Sequence, residues 1–388
     1  MGVAEIGMTL LTLPEGCQTV TCKWVFRYKL NKWGNIVRFK ARLVARGFSQ
    51  VYGIDYLDTF APVAKLAALR ILFAIAALED LEIHQMDVVT AFLLGGLEEE
   101  IYMEQPEGFE KTGRKGERLV CKVRKGLYGL KQSARNWYLR LKRYLESIGF
   151  VRCNADHCIY FNSATEIIIA VWVDDLILLG KTVEAINIVK SDLGKEFEMK
   201  DLGELEYFLG IQVARDRTKR RLHIDQSGYI NTILERFGMA NSNPVSTPIA
   251  TGTVFQKSTP NDQLVDSKFY QRIVGSLMYA MLGTRPDIAY AVSQLSQFNA
   301  VPNSTHLAAA KRVLRYLKGT STLGITYGGH ELIMKAYCDA DHGKSEDRKS
   351  ISGICICLEM EQSVISPRSN QPLLPQAQKV NTCRFCLE

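Results

Sequence analysis

Apolar and polar residues alternate from Lys23 to Leu30, the turn-forming run Asn31-Lys32-Trp33-Gly34-Asn35 follows, and Ile36 to Val44 resumes the alternation. This pattern predicts a β-hairpin. Leu66 to Leu78 predicts a buried helix, Leu81 to Met86 a short strand entering Asp87, and Ala134 to Ile148 a basic amphipathic helix. Ile167 to Val173 is a continuous β-branched and apolar run, Asp174-Asp175 follows, and Leu176 to Leu179 is apolar again. A hairpin with a two-residue acidic loop is the expectation there. Asn241 to Pro260, rich in Asn, Ser, Thr and Pro, reads as a linker. Tyr270 to Met281 and His306 to Leu317 read as helices. The second sets Leu307, Ala310, Leu314 and Leu317 on one face and Lys311, Arg315 and Lys318 on another, which could meet phosphate or only water. Helices and strands mix without a βαβ repeat, so the expected class is α+β.

Composition narrows the class further. The chain has 388 residues, 47% hydrophobic and 23% charged, close to the averages for a folded chain, which argues against wholesale disorder. No apolar run approaches the roughly 20 residues of a bilayer span. Ten cysteines without regular spacing read as reduced thiols, and an N-terminus without a basic n-region adds the expectation of an intracellular chain.

Net charge is +7, but its distribution is uneven. Thr21 to Gln50 holds eight basic residues and no acidic one, and Lys111 to Arg152 holds thirteen basic against two acidic. Between them, Glu79 to Glu110 carries ten acidic residues and no Lys or Arg. Basic segments bracketing an acidic one suit a polyanion grip around metal-holding carboxylates, although solvated faces of mixed sign would give the same pattern. Trp24, Phe26 and Tyr28 among the cations could stack on bases, or could equally line the buried face of a strand.

Two adjacent carboxylates between apolar strands repel each other and resist burial unless a cation neutralises them. Taken alone, Asp174-Asp175 reads first as an exposed turn. A second carboxylate, Asp87, lies in another apolar-flanked segment, Gln85-Met86-Asp87-Val88-Val89, and strands that each deliver Asp can build a two-metal site for phosphoryl transfer. Oxygen-only ligands favour Mg²⁺ or Mn²⁺ over zinc. Gly180-Lys181-Thr182 is no P-loop, because Asp175 occupies the position of its first Gly, and the pairs Cys355/Cys357 and Cys383/Cys386 fit no zinc spacing.

Ordered motifs then carry a specific resemblance. Lys23-Trp24-Val25-Phe26, Lys40-Ala41-Arg42-Leu43-Val44-Ala45-Arg46-Gly47-Phe48, Gly53-Ile54-Asp55-Tyr56 and Thr59-Phe60-Ala61-Pro62-Val63 precede the Asp87 segment. Leu127-Tyr128-Gly129-Leu130-Lys131-Gln132 and Val173-Asp174-Asp175-Leu176 follow it, with Phe208-Leu209-Gly210-Ile211 and Arg285-Pro286-Asp287 beyond. In order and spacing the chain resembles copia-type LTR-retrotransposon reverse transcriptases from about Leu13 to Leu358.

The resemblance implies an α+β right-hand polymerase of fingers, palm and thumb, with a connection region and an incomplete RNase H-like segment. The implied divisions are a truncated fingers lead-in over 1–20, fingers and palm over 21–240, and linker, thumb and connection over 241–330. An RNase H-like start over 331–358 and a divergent tail over 359–388 complete them. Asp87, Asp174 and Asp175 would be the catalytic metal ligands for Mg²⁺, with Mn²⁺ as substitute, and a primer 3′-hydroxyl would attack the α-phosphate of an incoming dNTP. Lys40 and Arg42 would meet the triphosphate, Phe92 would exclude a ribose 2′-hydroxyl, and Gln132 would line the nucleotide and template pocket. The bland counterparts are an exposed hairpin face, a core Phe and a helix N-terminal residue bonded only to backbone.

Implied partners are an RNA template, a DNA primer-template and dNTPs, with no membrane, in cytoplasmic particles or alternatively the nucleus. Asp339 matches the first metal-binding Asp of RNase H, but no acidic residue lies between Glu361 and Glu388, so RNA cleavage is not expected. Trp172 stands where the family commonly has Tyr, Ala134 where it has Pro, Val89 where it has Lys, and His342 where it has Trp. Together with the divergent tail, Trp172 motivates the rival expectation of an inactive transposon remnant that at most binds nucleic acid.

Overall fold

The computed structural model describes residues 7–30, 36–114, 116–259, 261–328, 333–340 and 352–359. In chain order the first strands are β1 (Met8–Thr12), β2 (Thr19–Val20), β3 (Cys22–Leu30) and β4 (Ile36–Ala45), followed by α1 (Leu66–Leu78). Next come β5 (Glu82–Val88), α2 (Ala91–Leu94), β6 (Gly96–Met103), β7 (Leu119–Lys125) and α3 (Ser133–Ser147). Short strands β8 (Val151–Arg152) and β9 (Ile159–Asn162) lead to β10 (Ile167–Trp172), β11 (Asp175–Gly180), α4 (Val183–Glu196) and β12 (Met199–Glu204). The remainder is β13 (Tyr207–Phe208), β14 (Ile211–Asp216), β15 (Arg221–Asp225), α5 (Ser227–Arg236), α6 (Ser267–Gly283), α7 (Ala289–Ser296), α8 (Ser304–Gly319), β16 (Gly324–Gly328), β17 (Ile333–Ala340) and β18 (Ser352–Glu359).

The chain forms two compact units. The first takes residues 1–65 and 82–204, and the second takes 66–81 and 205–388. Their boundary falls at Glu204/Leu205, whereas the sequence pattern places a division at 240/241.

The first unit is organised by a six-stranded sheet in the order β12-β5-β11-β10-β9-β8. All its pairings are antiparallel, which explains the absent βαβ repeat. One face is covered by α3 and α4. Met86, Val88, Leu176 and Leu178 from the strands pack there with Trp137, Leu141, Leu145, Ile186, Val189 and Leu193 from the helices. Each such side chain contributes about 1.5–3 kcal/mol by leaving water. Lys190 of α4, nearly buried, donates to Asp201 Oδ1 at 2.7 Å and lies 2.7 Å from His84 Nδ1, so its ammonium is satisfied within the fold.

A second sheet, β1-β7-β6-β2, and the separate β3–β4 hairpin complete this unit. The hairpin register pairs Trp24 with Leu43, Phe26 with Ala41 and Tyr28 with Phe39, which sets these residues on one face. Lys23, Arg27, Arg38, Lys40 and Arg42 fall on the other. The aromatic face is covered only at its root, where Trp24 packs against the core, while Phe26 is 73% and Phe39 is 78% exposed.

In the second unit, α1 lies against β15 and β16 of the sheet β13-β14-β15-β16. Helices α5 to α8 close a core around Ile233, Ile273, Leu277, Val292, Val313 and Leu314. The Arg285-Pro286-Asp287 motif is internal. Arg285, 1% exposed, grips Asp287 through Nε at 2.9 Å and Nη2 at 2.7 Å and donates from Nη1 to Thr320 O at 2.8 Å. The segment 241–259 contains neither helix nor strand. It is held by the basic face of α8, for Arg315 donates to Asn243 O at 2.6 Å and Lys318 to Ser242 O at 2.7 Å. These two cations therefore serve main-chain carbonyls, a role the sequence pattern did not offer beside phosphate and water.

Strands β17 and β18, in the segment where the resemblance implies an RNase H-like start, pair antiparallel with Asp339 opposite Gly353. Asp341 and His342 lie outside the described residues, as does the tail expected at 359–388 beyond Glu359.

Candidate active site

The β5–β11 register sets Asp175 directly opposite Asp87, so both carboxylates leave the same face of the six-stranded sheet. This face is opposite the one that packs on α3 and α4. Asp174 immediately precedes β11, and its carbonyl accepts from Val88 N at 2.8 Å, which ties the turn to β5. The sequence pattern places the two-residue loop at Asp174-Asp175. In the structure Trp172 pairs with Asp175, so the loop is Val173-Asp174 and Asp175 belongs to the strand. The ladder to β5 is what shifts the turn, because pairing with Asp87 draws Asp175 into the sheet. Val173 adopts φ +59, a left-handed conformation that a β-branched residue rarely takes.

The three carboxylates feel one another. Burial pushes the pKa of Asp174 above the ordinary carboxylate value, and Asp87 adds to the rise, while Arg42 and Lys40 oppose it. Asp175 is likewise raised, first by burial and then by Asp174 and Asp87, while a hydrogen bond from Gln85 opposes the shift. Gln85 Nε2 donates to Asp175 Oδ1 at 3.0 Å. Among the described residues no three His, Cys, Asp or Glu side chains converge as a finished metal cage. The donor chemistry nevertheless fits a hard divalent cation, since oxygen ligands repelling one another in a half-buried site are relieved by positive charge.

Arg42 and Lys40 of β4 act on Asp174, so the hairpin cations and the carboxylates belong to one electrostatic site. Tyr128, on the segment between β7 and α3, joins them. The Arg42 guanidinium lies over its ring, 5.6 Å from the centroid, and its charge acts on the hydroxyl. Phe92 meets the same ring edge-on, with centroids 4.8 Å apart and planes at 66°. Burial, then the charge of Asp174, raises the Tyr128 pKa, so its hydroxyl stays protonated.

The backbone there is fixed by close approach. Ala45 N donates to Tyr128 O at 2.8 Å, and a Cβ on Gly129, at φ +93, would stand 2.0 Å from Ala45 O. Gly47 would collide in the same way with Gly129 O, so neither position has room for a side chain.

Gln132 is 1% exposed, with its amide nitrogen donating to Asp55 O at 2.8 Å and its oxygen accepting from Gln50 Nε2 at 3.1 Å. It ties α3 to residues 50–55. Lys131 Nζ reinforces that tie through Gln50 O at 3.2 Å and the Tyr56 hydroxyl at 3.0 Å. The sequence pattern offers Tyr128 and Trp137 only as aromatics among cations that could stack on bases or sugars, a role that burial of Trp137 at 1% exposure denies it, and it gives no role to Gln85. The signal available for Tyr128 was its place inside the Leu127–Gln132 motif, and for Gln85 its position two residues before Asp87 in a strand.

Residues 7–251 match the family described as reverse transcriptase (RNA-dependent DNA polymerase). The chain belongs to that family. It is 46% identical over 353 residues to the retrovirus-related Pol polyprotein from transposon TNT 1-94 of Nicotiana tabacum, covering 89% of this chain and 26% of the relative. The Pol polyprotein from transposon RE1 of Arabidopsis thaliana is 42% identical over 349 residues, covering 89% of this chain and 23% of the relative. A putative transposon Ty5-1 protein of Saccharomyces cerevisiae is 36% identical over 272 residues, 69% of this chain and 87% of that protein. The copia-type retrotransposon resemblance read from the motifs therefore holds, and the chain spans about a quarter of the plant polyproteins it matches. Among the described residues no helix is long and apolar enough to cross a membrane.

Proposed function

We propose that this chain is the polymerase portion of a copia-type retrotransposon polyprotein, extending a DNA primer with dNTPs on an RNA or DNA template. The observation that carries the reading is Asp87 opposite Asp175 in register, with Asp174 at the adjoining turn under the charge of Arg42 and Lys40. Asp87 and Asp174 would hold Mg²⁺, or Mn²⁺ in its place, with Asp175 assisting. Bound there, the cation supplies Lewis-acid stabilisation of the oxygens exchanged in phosphoryl transfer.

The chain's own groups supply the rest. Lys40 and Arg42 receive the triphosphate, Arg42 held to its angle by Tyr128. Phe92 would exclude a ribose 2′-hydroxyl. Gln85 orients Asp175 and favours its ionised form, and Gln132 acts through the 50–55 segment that it secures. In this reading β3–β4 serves as fingers, the six-stranded sheet as palm, and 241–330 as thumb and connection. Residues 331–358 are an RNase H-like start in which Asp339 is a remnant without cleavage activity. Copying would take place in cytoplasmic particles, with the nucleus as the other location.

The test is dNTP incorporation on poly(rA) primed with oligo(dT), in Mg²⁺, Mn²⁺ and chelator, beside Asp174→Asn. Metal-dependent extension lost in the variant is the expected result. Salt-sensitive nucleic-acid binding without extension by a folded parent would instead establish an inactive remnant, the outcome that the Trp172 substitution beside the turn would explain.

A further inference from the structure

We propose that Tyr128 is a positioning residue that couples triphosphate recognition to sugar discrimination, and this rests on the polymerase reading above. Its ring is the shared wall of two groups assigned to different parts of the nucleotide. Arg42 covers one face at 5.6 Å, and Phe92 packs on it edge-on at 4.8 Å. Neither Arg42 nor Phe92 is fully buried, so each keeps a surface for a ligand. Tyr128 itself cannot drift. Its carbonyl is bonded to Ala45 N, and the Gly47–Gly129 approach leaves no slack between the root of the hairpin and this segment.

Two consequences follow from that geometry. The guanidinium rides on the tyrosine ring beside its polar edge, so loss of the hydroxyl alone should weaken nucleotide binding while leaving the sugar wall standing. The ring supports Phe92 from behind, so loss of the ring should let Phe92 recede and admit a 2′-hydroxyl even though Phe92 is intact. A residue that merely packed the hairpin root would lower activity toward both sugars alike. Coupling through Phe92 also predicts non-additivity, because a support has nothing to hold once the gate is removed.

The experiment uses the full chain on an RNA template with a DNA primer and one templating cytosine. It measures kcat and KM for dGTP and for GTP in the parent, Tyr128→Phe, Tyr128→Leu, Phe92→Val and the Phe92→Val/Tyr128→Leu double variant. Tyr128→Leu should improve the use of GTP relative to dGTP by about tenfold, the low end of what one packing contact gives in discrimination. Tyr128→Phe should raise the KM for dGTP by about threefold to tenfold at nearly constant kcat and keep the parent's sugar preference. The double variant should be no more permissive than Phe92→Val.

An unchanged sugar ratio in Tyr128→Leu, or additive effects in the double variant, overturns the coupling. If Tyr128→Leu fails to fold by thermal melting, Tyr128→Phe decides, and an unchanged KM for dGTP overturns the proposal. A folded parent that extends nothing fails at the polymerase reading and takes this inference with it. An active parent with unresponsive Tyr128 variants overturns this inference alone.

Discussion

Trp137 Nε1 donates to the carbonyl oxygen of Val173 at 2.6 Å. The indole is 1% exposed in the core beneath the sheet, so a helix residue with no place in the chemistry holds the turn that presents Asp174. The ring also packs edge-on against Phe197 at 5.3 Å.

Trp137→Phe keeps an aromatic ring but removes the donor. Stability should fall by about 1–3 kcal/mol, the range for stranding a buried acceptor together with some lost packing, and thermal unfolding would register it. Metal-dependent incorporation should fall further than the melt accounts for when both are read at a temperature where the variant is still folded. Equal activity in a folded variant would remove Trp137 from the account of the turn.

Val173→Gly relieves a left-handed β-branched residue. Relief of strain of about 1–3 kcal/mol is opposed by the side chain's lost packing and the looser unfolded chain, so a net gain of up to about 1 kcal/mol is expected. Incorporation should nevertheless decline, since the freed turn no longer fixes Asp174 against β5. A destabilised variant would show that Val173 earns its place by packing.

The carboxylates set a pH dependence of unusual sign. Asp174 has its pKa raised by burial and by Asp87, and Asp175 by burial, Asp174 and Asp87, so the folded state holds their protons more tightly than the unfolded state does. Their contribution therefore favours folding below the ordinary Asp pKa and is lost as pH rises through the raised values. At neutral pH without metal, Asp174→Asn should be more stable than the parent, on the order of 0.5 kcal/mol after allowance for solvent screening. Adding Mg²⁺ should raise the parent's melting temperature more than the variant's, by mass action on the folded state. A parent and variant that respond alike to Mg²⁺ would refute metal binding at Asp174.

Gln85→Met removes the hydrogen bond that favours the ionised form of Asp175. The acid limb of the pH–rate profile should move to higher pH while the plateau keeps most of its height. A uniformly lowered profile with an unmoved limb would mean that Gln85 acts only by packing.

Much of the local structure could be read from periodicity. The apolar run Leu66–Leu78 forms the helix it predicts, residue for residue, because apolar character broken only by Arg70 and good helix formers agree there. Ala134 to Ile148 is recovered as Ser133–Ser147, displaced by one residue. The acidic turn is misplaced by one residue because its position depends on pairing with β5, some ninety residues earlier, which local pattern does not contain. The same reason hides Trp137, Gln85 and Tyr128: each acts through a partner between roughly 36 and 90 residues away. The aromatic alternation of Trp24, Phe26 and Tyr28 correctly marks one strand face, but alternation alone could not say whether that face is covered.

The chain's path between its compact units has a consequence for how the protein is made. Helix α1 is synthesised before β5 yet belongs with residues 205 onward, so it leaves the ribosome well ahead of the strands that cover it. Leu69, Leu72 and Phe73, nearly buried in the finished fold, must wait uncovered while the carboxylate-bearing sheet assembles around the gap they interrupt. A chain cut at residue 204 would keep that orphaned helix and be prone to stick to its neighbours. Dissecting this protein therefore calls for excising 66–81 as a loop replacement rather than for a single truncation.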